Sequence, residues 1–566
     1  MPDPTLVSLV ESVSAPAMMA HLREFARWVK LSGTAEEMES LRYVRARLDE
    51  YGFRTQMLLH DAYISLPGPA RVTVDGSALK ALTHSHSQAS PAGGVSGPLV
   101  DVGEGTAADF AGRDLRGCIV LAEGIANPAV ARRASLAGAA GQLHISPHHH
   151  LHEMCISPVW GSPSAETLAE MPTTVACTVS HADGMALRER LARGEQPGVV
   201  LHAEVDTGWR KTPILVAEMD GPDGGADEPF VLFSGHHDTW YFGVMDNGAA
   251  NATMLETARL CASRRGEWAR GLRLCFWSGH SHGRYSGSTW YVDEHWDELE
   301  RRCVAHVNVD STGGMGATVL ENAAAVSELT PLAAEAIRER TGHQYLSKRK
   351  SRSSDDSFPG IGIPSMFGAL SEQPPGPVKM RNSLGWWWHT PEDTIDKLDE
   401  AFLVRDTKVF VHVVWKLLSD AVLPLDYATH ARALLAELAG IGAALGGRFA
   451  LETLVQGAEA LRDKAEAVAA RAEAAGPEET ARINRAIMHV SRALVPVDYS
   501  RGDRFAHDPA LPQPPWPALQ PVRDLAATAP GSDAAQFQTV SAMRARNRVA
   551  FALRQANEAL DSVLHD

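Results

Sequence analysis

Several short stretches of this chain carry side chains that bind metal ions or move protons. An apolar run at 229–235 leads into His236-His237-Asp238, and Asp246-Asn247-Gly248 begins eight residues after Asp238. A second run, 272–278, leads into His280-Ser281-His282. A third, 303–310, closes on Asn308-Val309-Asp310. Further on, Trp386-Trp387-Trp388-His389 precedes Thr390-Pro391-Glu392-Asp393. Imidazole and carboxylate are the donors that zinc and related ions take. One His or Asp at a strand end more often caps a turn. The order and spacing of all four stretches are what point to a metal site. Histidine is abundant elsewhere too: there are 24 in all, with His84 and His86 in one group and His144, His148, His149, His150 and His152 in another.

Such residues need a scaffold that gathers strand ends. The apolar runs alternate with helical stretches such as 251–265, the pattern of a buried parallel or mixed sheet. Ligands in such a sheet collect at the carboxyl ends of the strands. Residues 19–53 repeat apolar positions at helical spacing, as one helix or two, with Thr34 and Glu37 spaced as a capping box. From about 64 to 207, β-type runs such as 118–122 and 198–205 alternate with Gly, Pro and Ser, which reads as a separate β-rich domain. After 425 the composition turns to Ala, Leu, Glu and Arg at helical spacing, broken by a Pro-rich loop at 508–521 and closed by one long helix over 534–564. A tail of that kind serves packing or oligomerisation.

The 566 residues are about four times the ~150-residue domain prior, which gives two to four domains. Hydrophobic residues make up 45% and charged residues 22%, as in folded proteins, which excludes a disordered chain. Lys and Arg number 53 against 69 Asp and Glu, a net charge of -16, so a nucleic-acid partner is not expected. No apolar run approaches the ~20 residues of a membrane helix, and the first residues lack a basic stretch followed by an apolar one. No membrane partner is expected. Six cysteines without a C-x-x-C pair fit reduced thiols and a cytoplasmic location. The basic run Lys348-Arg349-Lys350 reads as a surface face.

GHHDTWYFGVMDNGAAN, FWSGHSHGRYSGSTWY, HVNVDST and WWWHTPEDT together resemble the glutamate carboxypeptidase II and transferrin-receptor-like branch of the zinc aminopeptidase-type metallopeptidases. The resemblance extends over nearly the whole chain. It implies an α/β, mixed-sheet catalytic domain over 1–63 and 208–424, an inserted β-rich protease-associated (apical) domain over 64–207, and a helical dimerisation domain over 425–566. It also implies a homodimer. Carried over residue by residue, His236, Asp246 and Asp310 hold one metal ion, Asp246 bridges to a second held also by His389, and the Asp238 carboxylate orients the metal-binding imidazole.

The sequence departs from that pattern at two places. Where the family has Glu-Glu, one the general base and one a metal ligand, this chain has His280-Ser281-His282. Counting from the strand puts His280 and Ser281 in those positions; counting back from Gly287-Ser288 puts Ser281 and His282 there. One of His280 and His282 is expected to complete the second metal site and the other to act as acid or base. Two divalent ions bring four positive charges and Asp246 with Asp310 return two negative ones, so the site favours an anionic substrate or a single ion. The expected cofactor is one or two divalent ions, zinc first, with manganese or iron(II) suited to a two-His-one-carboxylate set. The second departure is Trp388, where the family has a Tyr that helps stabilise an oxyanion; Tyr285 or Arg284 can supply a donor or an anion clamp. The His148–His152 group, in a domain that roofs the family's site, reads either as a substrate contact or as a solvated loop. Hydrolysis of an amide or peptide-like bond in a small, anionic substrate follows. The alternatives are a metal-dependent lyase using His or Tyr285 as acid-base, and a non-catalytic dimeric binding protein.

Overall fold

The computed structural model describes residues 3–565, apart from 223, 226, 347, 379, 381 and 382. Phe230–His236 is the middle strand of its central section. It runs parallel to Gly271–Trp277 on one side and to Cys303–Asp310 on the other, and Ser365–Ala369 lies parallel beyond Cys303–Asp310. Beyond Gly271–Trp277 the antiparallel strand Val199–Met219 makes the sheet mixed. Every residue of Phe230–His236 and Gly271–Trp277 is buried, which is why these runs are apolar throughout instead of alternating. The chain leaves the middle strand for one neighbour and returns to the other. That reversal opens a crevice at the carboxyl ends, where His236, His280 and Asp310 sit.

Arg54–Val74 and Val199–Met219, 21 residues each, pair antiparallel along nearly their whole length, with one irregularity between Pro67 and Ala70. One end of this ribbon belongs to the central section. The other continues into Ser77–Thr83, Val175–Val179, Gly141–Ile145, Ile119–Glu123 and Leu99–Asp101. Val72 and Leu201 of the ribbon pack there with Leu121, Leu143 and Val179 in a core of their own. The boundaries expected at 63/64 and 207/208 face each other inside the ribbon, where Ile64 opposes Gly208.

Residues 19–53 form two helices, Ala15–Phe25 and Ala35–Glu50, and a helix not read from the sequence, Pro4–Glu11, precedes them. Thr34 caps the Glu37 N–H at 3.4 Å, but Glu37 reaches back to the Gly33 N–H at 2.6 Å and not to Thr34. Gly33, with φ +77°, turns its N–H toward that carboxylate, so the capping box is displaced by one residue. After 425 come Tyr427–Leu445, Glu452–Ala472, Pro477–Tyr499, Gln520–Ala527 and Asp533–Leu564. The Pro-rich stretch is therefore part helix, with Pro521 in a first turn that needs no proline N–H.

Arg349 and Lys350 of the basic run do not form a surface face. Lys350 is 4% exposed and reaches Asp356 at 2.9 Å, while Arg349 pairs with Asp498 of the helix Pro477–Tyr499. Lys348–Arg349 forms an edge strand beside Ala324–Ala325, and the helical region packs against that edge. Among the described residues no single helix is long and apolar enough to cross a membrane.

Candidate metal centre

His236 ends the middle strand. Its Nδ1 donates to the Asp238 carbonyl at 2.8 Å, which leaves the lone pair on Nε2; the tautomer follows from the acceptor that Nδ1 meets. That Nε2 faces Asp246 Oδ1 at 3.1 Å and Asp310 Oδ1 at 3.7 Å. The other oxygen of Asp246 lies 3.0 Å from His389 Nε2. His389 Nδ1 donates to the Glu153 carbonyl at 2.7 Å. His280 Nδ1 donates to Asp355 Oδ2 at 2.8 Å. Three imidazoles are thus tied at Nδ1 and free at Nε2, the arrangement that metal-site histidines use.

The backbone around Asp246 is clamped. The N–H groups of Met245 and Asp246 donate to Asp393 at 2.9 and 3.0 Å. Asn247 accepts from the Ser311 N–H at 2.9 Å and donates to the carbonyls of His236 and Val309. The turn Val244–Ala249 is thereby fastened across two strand ends before the helix Ala250–Ala262 begins. Burial pushes the Asp393 carboxyl up to about 7. Burial also opposes charge on His236 and Asp246, but their mutual contact, with Asp310 and His389 beside them, outweighs it. The imidazole of His236 is held well above its ordinary range and the carboxyl of Asp246 well below.

Asp238 lies where its role was expected, yet a different atom performs it. Its carbonyl orients His236, while its carboxylate stands 3.9 Å from His236 Nδ1. The carboxylate accepts instead from the N–H groups of His280 and Ser281, at 3.3 and 2.9 Å, and from Ser32 Oγ at 2.6 Å. Asp238 therefore shapes the turn that carries His280.

The two candidate histidines of that turn separate. His280 and Ser281 line a cavity of about 260 Å³ together with Asp246, Asp310 and His389. They are the pair obtained by counting from the strand. His282 is fully buried away from this cavity, with Nδ1 on Ser32 Oγ at 3.0 Å and its ring 4.4 Å from Trp240. Burial, with the nearby His86 and His389, holds it down at about 3. The structure does not bring His282 to the cluster, because the helical turn His280–Gly283 sends the third side chain inward.

One ring nitrogen each of His236 and His280 and one carboxylate oxygen of Asp310 lie within 4.8 Å of one another. The two rings are nevertheless stacked, 3.6 Å between centroids and 11° between planes. An ion lies in the plane of an imidazole that binds it, and parallel planes share no such point. His280 stands beside the donors of His236 and does not converge with them.

A divalent ion fits the remaining set. His236 Nε2 and Asp246 Oδ1 are buried without hydrogen-bond partners although they face each other. Atoms held this close share a proton or take a cation between them. His236, Asp246 and Asp310 offer one imidazole nitrogen and two carboxylate oxygens, donor types that such an ion takes.

Tyr285 lines the same cavity, its ring 4.9 Å from that of His280. Arg284 lines it too, with its Nε buried and unpartnered. Both residues have positive φ, +49° and +71°, and are pinned by Gly161 N–H on the Arg284 carbonyl and Thr289 N–H on the Tyr285 carbonyl. Trp388 lies flat on His389, 3.5 Å between centroids. His148, His149 and His150 line a separate hollow with Trp386, while His152 is buried and bonds the Trp388 carbonyl at 2.5 Å.

Asp355, Glu153 and Ser354 were not singled out from the sequence. Ser354 Oγ donates to Asp310 Oδ2 at 2.9 Å. Asp355 sits in the polar stretch Ser351–Ser357, which resembles any solvated loop; only its run of Asp among Ser hinted at more.

Residues 215–414 match the model of Peptidase family M28. A "Probable glutamate carboxypeptidase VP8" from Zea mays is 25% identical over 523 residues, covering 76% of this chain and 70% of the relative. A "Probable glutamate carboxypeptidase AMP1" from Arabidopsis thaliana is 22% identical over 53% of this chain and 52% of its own length. In fold, the chain is similar to an aminopeptidase from Aneurinibacillus sp. strain AM-1, with 21% identity, TM-score 0.55, and 72% of this chain against 95% of that one. It is similarly close to a zinc aminopeptidase from Bacillus subtilis, with 18% identity, TM-score 0.56, and 72% against 96%.

Proposed function

We propose that this chain, whose residues 215–414 match the model of Peptidase family M28, is a metallopeptidase-like hydrolase that cleaves an amide or peptide-like bond in a small anionic substrate. The observation that carries the reading is the set of imidazoles locked at Nδ1 around Asp246, with His280 backed by Asp355.

A divalent ion, zinc by preference, held by His236, Asp246 and Asp310 would act as a Lewis acid toward the carbonyl and lower the pKa of water. His280 is the proton carrier. Its Nε2 takes a proton from the attacking water, Asp355 stabilises the imidazolium through Nδ1, and the proton passes to the leaving amine. Asp238 holds the turn in place during both transfers. Arg284 pairs with a carboxylate of the substrate, as guanidinium does. Tyr285, edge-on to His280, lies on the same wall and can donate to the developing oxyanion.

Residues 64–207 act as an apical roof of the protease-associated kind. Residues 425–566 act as the dimerisation domain, with Phe537, Val540 and Phe551 exposed on Asp533–Leu564. The six thiols are unpaired, which suits a cytoplasmic location. Light scattering on the full chain tests the dimer.

The activity test uses zinc-loaded full chain and a panel of dipeptides and N-acyl amino acids, with and without an acidic side chain. Reactions run in isotopically labelled water. Label in the new carboxylate supports hydrolysis. Products formed without label would mean elimination, and no turnover of any substrate by metal-loaded protein would sink the hydrolase reading.

A further inference from the structure

The donors of the centre are divided unequally. On one side His236 Nε2 meets Asp246 Oδ1 and Asp310 Oδ1, at 3.1 and 3.7 Å, with His280 at the margin. On the other side His389 Nε2 meets only Asp246 Oδ2, at 3.0 Å. Among the described residues, the close group of metal-type donors at this centre is His236, His280 and Asp310; it includes neither Asp246 nor His389, so the asymmetry rests on His236 facing two carboxylates where His389 faces one. Ser281 lines the same cavity, and its Oγ is buried without a hydrogen-bond partner. A neutral hydroxyl is a weak ligand beside imidazole, thiolate or carboxylate. His282 is not a substitute: its Nε2 is buried without a partner, but it does not line the cavity and belongs to no close donor group with His389 or Asp246.

Charge points the same way. One divalent ion between Asp246 and Asp310 leaves that group neutral. A second would leave two uncompensated charges in a buried cavity already lined by Arg284, a costly arrangement without a further anion.

We infer that the centre binds one divalent ion tightly, at His236, Asp246 and Asp310, and that the His389–Asp246 position is not an equivalent second site. His389 is then a positioning residue that acts through Asp246. This inference rests on reading the cluster as a metal centre, and its test separates the two.

The full chain is dialysed against buffered free zinc over several decades, and bound zinc is counted by plasma mass spectrometry. The expected result is one equivalent retained at concentrations where His236→Ala retains none and His389→Ala still retains close to one. Manganese(II) loading should give the paramagnetic resonance spectrum of an isolated ion. Two equivalents bound along a single isotherm, an exchange-coupled manganese pair, or loss in His389→Ala as deep as in His236→Ala would overturn the inference and leave the metal reading standing. No zinc bound at any concentration, by protein shown to be folded by circular dichroism, would overturn both.

Discussion

Asp355 accepts the Nδ1 proton of His280 across 2.8 Å, although 75 positions separate them in the chain. The other oxygen of Asp355 accepts from Ser288 Oγ at 2.9 Å, and the residue is fully buried. A carboxylate placed so steadily fixes which nitrogen of His280 is free. Asp355→Asn should lower kcat roughly 10- to 100-fold with little change in KM. Asp355→Glu should recover part of the loss. Steady-state kinetics across pH check this, because a merely structural loss would leave the profile of the remaining activity unmoved.

Arg284 faces the cavity with its Nε unpartnered. A hydrogen bond to a charged group contributes about 1.5 to 3 kcal/mol. Arg284→Gln should therefore raise KM for a carboxylate-bearing substrate by about one to two decades and leave a neutral analogue nearly unaffected. Equal losses on both substrates would contradict the anion-clamp role.

Several histidines are buried and held far below their ordinary range, chiefly by burial: His144 to about 4 and His152 and His237 to about 3. As pH falls through about 6.5 the unfolded chain binds these protons while the folded chain does not. Stability is therefore lost between about pH 6.5 and the folded values, and regained as pH rises. Each such group contributes up to about 1.4 kcal/mol per pH unit within its window. Urea unfolding at pH 7 and pH 5 should show a markedly lower midpoint at pH 5, and His144→Gln should reduce the difference.

Lys350 and Asp356 form a pair with both members buried. Lys350→Met would leave Asp356 without its cation, a change that costs about 3 to 5 kcal/mol. A fall in Tm of several degrees is expected, with more recovered in Lys350→Met/Asp356→Asn than the two single changes would add to. A thermal melt of the three variants decides it.

Ser281→Glu adds a carboxylate to the cavity that His389 and Asp246 also line. Metal analysis should then find more bound zinc than in the parent protein at equal free zinc. Unchanged uptake would mean that donor number does not limit that position.

His236 and Asp310 were legible because strands buried on both faces announce themselves as apolar runs, and the polar residue that ends each one stands out; Asp246 and His389, in turns, were legible only by their spacing from those runs and by the resemblance. The crevice followed from the order of those runs. The choice between His280 and His282 was not legible. It depends on a helical turn whose direction is set by Asp238 accepting from two successive N–H groups, and no periodicity encodes that. Asp355 and the Glu153 carbonyl were invisible for a related reason. One is a carboxylate in a polar stretch, and the other is a main-chain atom that any residue carries. The burial of Lys350 escaped notice because a run of cations looks solvated until the opposing Asp356 is brought to it by the fold.

The Glu153 carbonyl that holds His389 comes from the section beyond the paired strands Arg54–Val74 and Val199–Met219. The cavity thus borrows one of its fixed points from residues 64–207. The ribbon joining them is hydrogen-bonded along both strands and interrupted only near Pro67. A cut there, or a circular permutation opening the chain at that bulge, would test a mechanical property: whether tension along the ribbon keeps the histidine aimed. Loosening that section should register first as a wandering imidazole, before any helix melts.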